Sequence, residues 1–319
     1  MSVLFRPCDK PYEIHRHVAS IQHVVAIALL LTGWSVRASE APIFDAHLHY
    51  TWSQAEVTSP ERALGYLKEQ GIDKAMVIGT PPELALDLYR SAPRRIIPFF
   101  GPYRAGGEKR SWQFRDALVD EAREALSNGP YRGIGELHLI GGMATDWRRS
   151  RVFAGLLDLA REFDVPVMLH TEYNTTMPTL EICEGNPEVR LLLAHAGAVL
   201  STEQVAQVLR RCPNVWMDLA ARDPWRYVRN PIADGEGRLL PEWDRLIRSF
   251  PKRFMVGADT VWPVDRGASW DIVDTGWQEL GRFIAFHRRW TGYLPADIAE
   301  DIRWNNAANF FSVDSKDKR

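Results

Sequence analysis

Eight short apolar runs, each followed by a longer segment, constrain the fold of this chain more than any other feature. From residue 43 onward the chain repeats an apolar or β-branched run, a polar loop, and a stretch with apolar residues at helical intervals. The runs are "IFDAHLH", "KAMVIGT", "RIIPFFG", "GIGELHL", "VPVMLH", "VRLLLAH", "VWMDLA" and "RFMVGAD". Helical spacing occurs over stretches that include 60–70, 112–127, 150–163, 201–210 and 270–289. Apolar strands that alternate with helices are typical of a parallel sheet.

Eight strand–helix units predict a closed α/β barrel. Parallel strands that are each followed by a helix form a (β/α)8 TIM barrel of about 250 residues. The alternative is an open, doubly wound sheet, but no glycine-rich phosphate loop follows the first strand, where that fold often carries one. Near the end, "PADIAEDIRWNNAANFF" predicts a C-terminal helix that caps the barrel. We therefore expect one domain over residues 43–312.

The charge of the chain argues against two classes of partner. The 319 residues have a formal net charge of −2 and a pI near 6.5. Proteins that bind nucleic acids or anionic membranes electrostatically usually carry a basic excess. The composition therefore favours a small-molecule substrate and no nucleic acid.

An apolar segment, "IQHVVAIALLLTGW", lies before the first strand. Its uninterrupted run over Val24–Leu31 is too short to span a bilayer comfortably, and basic residues precede it. Val36 and Ala38 occupy the positions of a signal-peptidase site. We predict that residues 1–38 are a signal peptide and that the protein is exported, either to the periplasm or out of the cell. An uncleaved membrane anchor is the alternative, because the stretch before the apolar run is long.

The three cysteines do not form a recognisable motif. Cys8, Cys183 and Cys212 show no CxxC spacing, and an odd number does not suggest a disulfide framework. We interpret them as packing residues, and a bridge between Cys183 and Cys212 stays open if the chain is exported.

Polar residues that can bind a metal ion cluster at the ends of the predicted strands. The C-terminal ends of barrel strands carry the catalytic side chains of this architecture. Of the six histidines after residue 38, five lie at strand ends, and only His287 falls within a predicted helix. The strand-end residues are His47, His49, Glu136, His138, His170, His195 and Asp259.

Two histidines at a spacing of two, as in "HLH", point to the same face of a strand and can share one ligand. Imidazole nitrogens and carboxylate oxygens are the usual ligands of a catalytic divalent metal such as zinc, with an open position for water. Each residue alone has a structural explanation, such as a buried histidine or a helix cap. The recurrence at strand ends favours a metal centre.

The motifs "DAHLH", "MLH", "LLAHAG" and "VGADT" resemble the amidohydrolase superfamily, in particular its amidohydrolase-related branch. That branch includes decarboxylases, lactonases and hydrolases of amides and carboxylic esters. The similarity covers most of residues 43–312, including the closing "NNAANFF". It implies that His47, His49, His170 and Asp259 bind one metal ion, usually zinc. It also implies that His195 either binds a second ion or polarises the substrate.

Glu136 leaves the number of ions open. "GIGELHL" resembles the fourth-strand region of TatD-type members, where a glutamate contributes to a two-metal centre. Glu136 either bridges two ions or accepts a hydrogen bond from a ligand histidine. No lysine is present at this strand end to form the carboxylated lysine that other members use.

The resemblance predicts hydrolysis of an amide, ester or lactone by metal-activated water. A divalent metal lowers the pKa of bound water from about 15.7 to roughly 7. Asp259 would take the proton of that water and return it to the leaving group, and His195 would stabilise the oxyanion. The alternatives are a non-oxidative decarboxylase of the same branch, a TatD-like phosphodiesterase, and an inactive barrel that only binds a ligand.

Substrate specificity is expected to depend on the loops after the strands. Anchors occur in "YTW", "GPYR", "HTEY" and "LAARDPW". The predicted substrate-binding residues are Trp52, Tyr103, Arg104 and Arg222, and the same loops offer Glu172, Tyr173 and Trp225. Because arginine binds carboxylates and phosphates in a forked geometry, we expect an anionic substrate group. Alternatively, the arginines form salt bridges with Glu172 or Asp223, and the aromatic residues only pack.

Overall fold

A computed structural model describes residues 41–140, 147–226, 228–263 and 273–313. The strands are β1 (Ile43–Thr51), β2 (Ile72–Thr80), β3 (Ile96–Phe99), β4 (Ile134–Leu139), β5 (Val167–Thr171), β6 (Leu191–Leu193), β7 (Val215–Asp218) and β8 (Phe254–Met255). The helices are α1 (Trp52–Ala55), α2 (Pro60–Glu69), α3 (Glu83–Ser91), α4 (Ala117–Asn128), α5 (Arg151–Glu162), α6 (Met177–Gly185), α7 (Thr202–Arg211), α8 (Pro241–Ser249), α9 (Leu280–Thr291), α10 (Ala296–Glu300) and α11 (Asn306–Phe310). The predicted signal peptide lies outside the described residues.

The eight strands are parallel and follow one another in chain order. β1 to β3 form one ladder and β4 to β8 form another. A parallel bridge between Phe100 and Ile134 joins the two ladders. On the other side, the amide of Ala46 donates to the carbonyl of Val256 at 2.9 Å, so that the segment after β8 lies against β1. The order and these contacts give the predicted (β/α)8 architecture.

Apolar side chains fill the interior of the barrel, and a second layer packs between strands and helices. The first, smaller cluster takes alternate residues from the strands, as expected for a sheet whose side chains alternate between faces. Its strand members are Phe44, Ala46, Met76, Ile78, Ile97, Phe99, Met168, Leu192 and Met255. The larger cluster takes the intervening residues and the apolar faces of the helices. Among the described residues, apolar side chains therefore occupy the middle of the barrel.

The helices begin where the sequence supplies caps. The side chain of Ser59 accepts a hydrogen bond from the amide of Arg62 at the start of α2, and Pro60 occupies the first turn. Ser201 and Gln204 form a reciprocal capping box at the start of α7. Two helices begin later than predicted: α4 follows short 3-10 turns, and α9 begins at Leu280 rather than at residue 270. Apolar residues ahead of both helices, such as Trp112 and Trp277, fit the spacing of a helix. The predicted helices therefore extended too far toward the N-terminus.

The predicted capping helix closes the N-terminal end of the barrel. α10, a π-helical turn over Asp301–Asn305, and α11 form one helical segment. Trp304 and Phe311 pack on Phe44 at centroid distances of 5.7 and 5.4 Å. The amide nitrogen of the Asn306 side chain donates to the carbonyl oxygens of Pro251 and Phe254, each at 2.8 Å. The segment thus seals the apolar interior at the end opposite the polar site.

Cys183 and Cys212 form a disulfide bond, which joins the end of α6 to the end of α7. The interpretation of these two cysteines as packing residues alone was therefore wrong, and the bridge that the sequence left open is present. Within the described ranges, no helix is both long and apolar enough to cross a bilayer.

Candidate metal centre

An irregularity in β1 turns both histidines of "HLH" into the barrel. Phe44 and Ala46 face the interior, and a strict alternation would send His47 and His49 outward. The pairing of β1 with β2 shifts register between Asp45 and Leu48. This bulge changes the phase of the strand, so that His47 and His49 continue on the interior side while Leu48 packs in the outer layer.

Asp45 stabilises this bulge. Its Oδ1 accepts hydrogen bonds from the amide of His47 at 3.0 Å and from the amide of Ala258 at 3.1 Å. The carboxyl group is fully buried, and burial raises its pKa to about 7. Gly257 allows the close approach, because a Cβ there would lie 2.8 Å from the Cβ of His47. Asp45 thereby joins β1 to the segment that carries Asp259.

His47, His49 and Asp259 form the first group of potential ligands. The two Nε2 atoms of the histidines are 3.1 Å apart. Asp259 Oδ1 lies 3.8 Å from Nε2 of His47 and 3.6 Å from Nε2 of His49. Asp259 has a φ of 47°, and its amide donates to the carbonyl of His47 at 2.7 Å, which fixes the carboxylate in this position.

Glu136 on β4 lies at the centre of the predicted residues. Its Oε1 is 2.8 Å from Nδ1 of His170, 3.7 Å from Nε2 of His195 and 3.8 Å from Nε2 of His47. Its Oε2 is 3.3 Å from Nε2 of His49. The structure therefore brings all six predicted metal-site residues together, and the short contact to His170 shows the hydrogen bond that was the alternative to bridging.

His195 is placed by an unusual turn after β6. Residues 195 to 198 all have positive φ: 54° at His195, 47° at Ala196, 76° at Gly197 and 50° at Ala198. Left-handed backbone at residues other than glycine costs free energy and needs support from its surroundings. The turn reverses the chain directly after the strand, so that the imidazole faces the barrel axis and stacks near His47 with centroids 5.0 Å apart.

Arg222 supports that turn. Its guanidinium is buried and lies over the ring of Trp243 at 4.9 Å. It donates five hydrogen bonds, all to main-chain carbonyl oxygens: those of His195, Ala196, Leu200, Arg229 and Asn230. A guanidinium has five N–H donors, so none is left for a substrate. The prediction of Arg222 as a substrate-binding residue was wrong, because its position after β7 placed it beneath the loops rather than at their surface.

Each of three histidines has one ring nitrogen tied to an acceptor outside the centre. Nδ1 of His195 is 3.0 Å from the carbonyl oxygen of Ala220. Nδ1 of His47 is 3.3 Å from Asp218 Oδ2, and Nε2 of His170 is 2.8 Å from Glu172 Oε1. The outer acceptor favours a proton on the nitrogen it contacts, so the opposite, inward nitrogen is the one that can bind a metal ion once it carries no proton.

Burial and the neighbouring carboxylates shift the pKa values of the histidines in opposite directions. Burial lowers the pKa of His47, but the carboxylates of Asp218, Asp259 and Glu136 outweigh it and raise that pKa to about 10. In the same way, Glu136 and Glu172 overcome burial and raise the pKa of His170 to about 9.

Burial dominates at His195 and His138. It lowers the pKa of His195 to about 4, and it lowers that of His138 well below the ordinary value. The imidazolium groups in turn overcome burial at Glu136 and hold the pKa of its carboxyl well below the usual range. Of these four histidines, His47 and His170 are therefore protonated, and His138 and His195 are neutral.

This donor set suits a divalent metal ion. The buried groups that lie within 4.8 Å of one another are His47–His49–Asp259, Glu136–His138–His170 and His47–His195–Asp218. Each combines imidazole nitrogen with carboxylate oxygen, the mixture that zinc and related ions prefer. Buried carboxylate charge is costly unless a positive charge lies close to it. Protons on two histidines provide that positive charge here.

Three residues of the centre were not among the predicted site residues. His138 was recognised as a strand-end residue and follows Glu136 by two positions on β4, but it was not assigned to the metal site. Asp218 ends β7 in the manner of the other strand-end residues. Glu172 was considered as a substrate anchor or as a salt-bridge partner of an arginine, whereas its contact with His170 depends on the fold of the loop after β5.

The other predicted substrate-binding residues have varied environments. Arg104 is half exposed and pairs with Glu83 at 3.3 Å, not with Glu172 or Asp223. Tyr103 is buried with its hydroxyl on His138. Trp52 is partly buried in the first turn of α1. Asp223 pairs with the buried Arg226 at 2.6 Å rather than with Arg222.

A cavity of about 540 Å³ lies beside the centre. Its walls are Glu172, Tyr173, Asn174, Ala198, Val199, Val228 and Arg229. These residues belong to the loops that follow β5, β6 and β7, and Glu172 connects the cavity to His170. Substrate pockets of barrel enzymes are built from such loops.

One of the comparisons with known proteins identifies a family. A family model described as "Amidohydrolase" matches residues 44–313. A comparison with curated proteins finds no match.

Several solved structures share the fold. An amidohydrolase from Burkholderia multivorans with bound zinc is 15% identical, with a TM-score of 0.56, over 86% of this chain and 100% of the other. A TatD homologue from Escherichia coli is 17% identical, with a TM-score of 0.58, over 85% and 98%. A 5-carboxyvanillate decarboxylase from Novosphingobium aromaticivorans, complexed with manganese, is 12% identical, with a TM-score of 0.54, over 86% and 97%.

Proposed function

This chain belongs to the amidohydrolase family, and from that premise we propose that it hydrolyses an amide, ester or lactone with metal-activated water. The convergence of His47, His49, Glu136, His170, His195 and Asp259 on one buried point carries the proposal. Zinc is the proposed ion, supported by the imidazole-rich donor set and by the zinc found in the Burkholderia relative.

The proposed mechanism assigns a separate task to each side chain. A divalent cation would polarise the substrate carbonyl and make water acidic enough to ionise near neutral pH. His47 and His49 direct their Nε2 atoms to the same point as Asp259, so these three would hold one ion. Asp259 reaches that point with a single carboxylate oxygen, which leaves Oδ2 to take a proton from the attacking water and return it to the leaving group.

His195 fits the ligand role better than the oxyanion-stabilising role. Because its Nδ1 proton lies on the carbonyl of Ala220 and its ring is neutral, Nε2 presents a lone pair to the centre. A lone pair binds a cation but cannot donate to an oxyanion. If two ions are held, Glu136 is placed to bridge them, with His170 and His195 on the second ion.

We place an anionic substrate group at Arg229, instead of at Arg104 or Arg222. Arg229 is an exposed wall residue of the cavity beside the centre, and no ion pair within the described part of the chain holds its guanidinium. Tyr173 and Asn174 on the opposite loop would contact the rest of the substrate. A carboxylate is the expected group, since guanidinium binds it through two parallel hydrogen bonds.

The test combines metal content with a panel of substrates. The protein is loaded with zinc, manganese or no metal and assayed against amides, esters, lactones and aromatic acids, with both acid production and CO2 release recorded. Metal-dependent hydrolysis of one class supports the proposal. Release of CO2 without hydrolysis would replace it with the decarboxylase alternative, and activity that is indifferent to metal removal would reject both. Metal per chain near two would support Glu136 as a bridging ligand.

We also propose that the protein is exported, and the disulfide between Cys183 and Cys212 supports this. Disulfides persist in oxidising compartments and are rare in the cytosol. Cell fractionation of the native host, with alkylation and mass spectrometry of both cysteines, tests the proposal. Free thiols in a cytosolic fraction would contradict it.

A further inference from the structure

His138 differs from His47, His170 and His195 in its outer partner. His47, His170 and His195 each contact an acceptor that has no proton to give: a carboxylate of Asp218, a carboxylate of Glu172 and the carbonyl of Ala220. Nδ1 of His138 instead lies 3.0 Å from the hydroxyl of Tyr103. A hydroxyl can either donate or accept, so its own surroundings decide which ring nitrogen carries the proton.

The surroundings of Tyr103 make its hydroxyl the donor. The main-chain amide of His138 donates to the same hydroxyl oxygen at 2.9 Å, which uses its acceptor capacity from one side. The side chain is buried, and among the described residues Nδ1 of His138 is the acceptor within reach of its proton. A buried hydroxyl that left this bond unmade would lose free energy. The Tyr103 hydroxyl therefore donates to Nδ1, and a neutral His138 then carries its proton on Nε2.

The Nε2 atom of His138 faces the centre. It lies 3.7 Å from Oε2 of Glu136, and the ring stacks on that of His170 with centroids 4.5 Å apart and planes 14° apart. The stacking and the Tyr103 bonds together fix the orientation of the ring. An N–H directed inward at this position cannot bind a cation, but it can donate to an oxygen atom.

Resting on the proposed metal-dependent hydrolysis, we propose that Tyr103 holds His138 as the Nε2–H tautomer and that His138 is a hydrogen-bond donor of the site rather than a metal ligand. The acceptor is the substrate oxygen on which negative charge develops, the task that the sequence had assigned to His195. β4 thus contributes the carboxylate of Glu136 and the neutral N–H donor of His138, which lie two positions apart on the same face of the strand. Tyr103 is a positioning residue that acts through His138.

Nuclear magnetic resonance of the zinc-loaded, full-length protein tests the tautomer without any substrate. In ¹⁵N-labelled protein, two-bond proton–nitrogen spectra show which nitrogen of each imidazole bears a proton, and His138→Gln identifies the signals of His138. We expect a proton on Nε2 of His138, in contrast to protons on Nδ1 of His47 and His195. Tyr103→Phe should lower the population of that tautomer, whereas Tyr131→Phe, a buried tyrosine that packs on Phe100, should not. A proton on Nδ1 of His138, or zinc on its Nε2, overturns the proposal.

Zinc content and kinetics test the role. His138→Ala should bind as much zinc per chain as the unchanged protein after dialysis, while His170→Ala should bind less. With the substrate that the panel identifies, His138→Ala should lower kcat about 10²-fold or more, the usual effect of removing one such donor. His138→Gln, which keeps an N–H, should retain more activity than His138→Ala. Loss of zinc in His138→Ala, or full kcat with zinc retained, overturns the proposal. If the protein binds zinc and shows the expected tautomer but hydrolyses no substrate, the proposed hydrolase activity is refuted and the tautomer of His138 is not.

Discussion

Replacement of Arg222 by methionine tests whether this residue supports the turn at His195 or binds substrate. Methionine keeps an apolar stem of similar length but removes every N–H donor. The change removes a donor from five main-chain carbonyl oxygens. The carbonyl of His195 keeps the amide of Ala198 and that of Leu200 keeps the side-chain amide of Asn230, so three carbonyls lose their partner. It also removes the contact with the ring of Trp243.

The expected loss of stability follows from those carbonyls. A buried polar group without a partner costs about 1–3 kcal/mol, so three at the low end amount to about 3 kcal/mol. Relief of the buried positive charge offsets part of this cost. We expect the free energy of unfolding to fall by about 2 kcal/mol, a substantial fraction of the roughly 5–15 kcal/mol that a domain possesses.

Urea titration, followed by far-ultraviolet circular dichroism and tryptophan fluorescence, measures the change. Arg229→Met is the matched control, since Arg229 is exposed and close in sequence. The control should unfold at the same urea concentration as the unchanged protein but bind an anionic substrate more weakly. If Arg222→Met unfolds at the original urea concentration and only raises KM, the argument from buried carbonyls is refuted and Arg222 regains its predicted role in substrate binding.

Three further predictions concern the metal centre. Asp259→Asn should lower kcat by about 10²–10⁴, because an amide cannot take a proton from water, and steady-state kinetics that show an unchanged kcat would exclude Asp259 as the base. His170→Ala should bind zinc about 10-fold or more weakly in competition with a chelator, whereas His287→Gln, in a buried histidine that donates to the carbonyl of Gly257, should bind it normally. At pH 6, zinc binding to the metal-free protein should release about two protons, because His47 and His170 have pKa values raised to about 10 and about 9 and must each lose one to bind a cation. Calorimetry in buffers of different ionisation enthalpy measures this release, which should decline as the pH rises through 9 and 10, and no release at pH 6 would contradict the assigned charges.

The sequence predicted the architecture because the barrel repeats one local unit. Each of the eight apolar runs became a strand, since runs bounded by polar loops admit few other structures when they alternate with amphipathic helices. The strand-end rule then located His170 and Asp259, almost 90 residues apart, at the same end of the barrel. The late start of α9 and the bond between Cys183 and Cys212 were beyond this reasoning, because both depend on neighbours that are distant in sequence.

By itself, the sequence determined the family, the strand order and which side chains can bind a metal, since these follow from the period of the chain and the chemistry of each residue. Only the tertiary structure decided how those side chains act. The bulge at Asp45 set the face of His47 and His49, and the carbonyls around Arg222 took it away from the substrate. The partners of His195 and His138 fixed their ring protons on opposite nitrogens. These outcomes depend on which donors and acceptors from remote segments meet within about 3 Å, the range over which a hydrogen bond is directional.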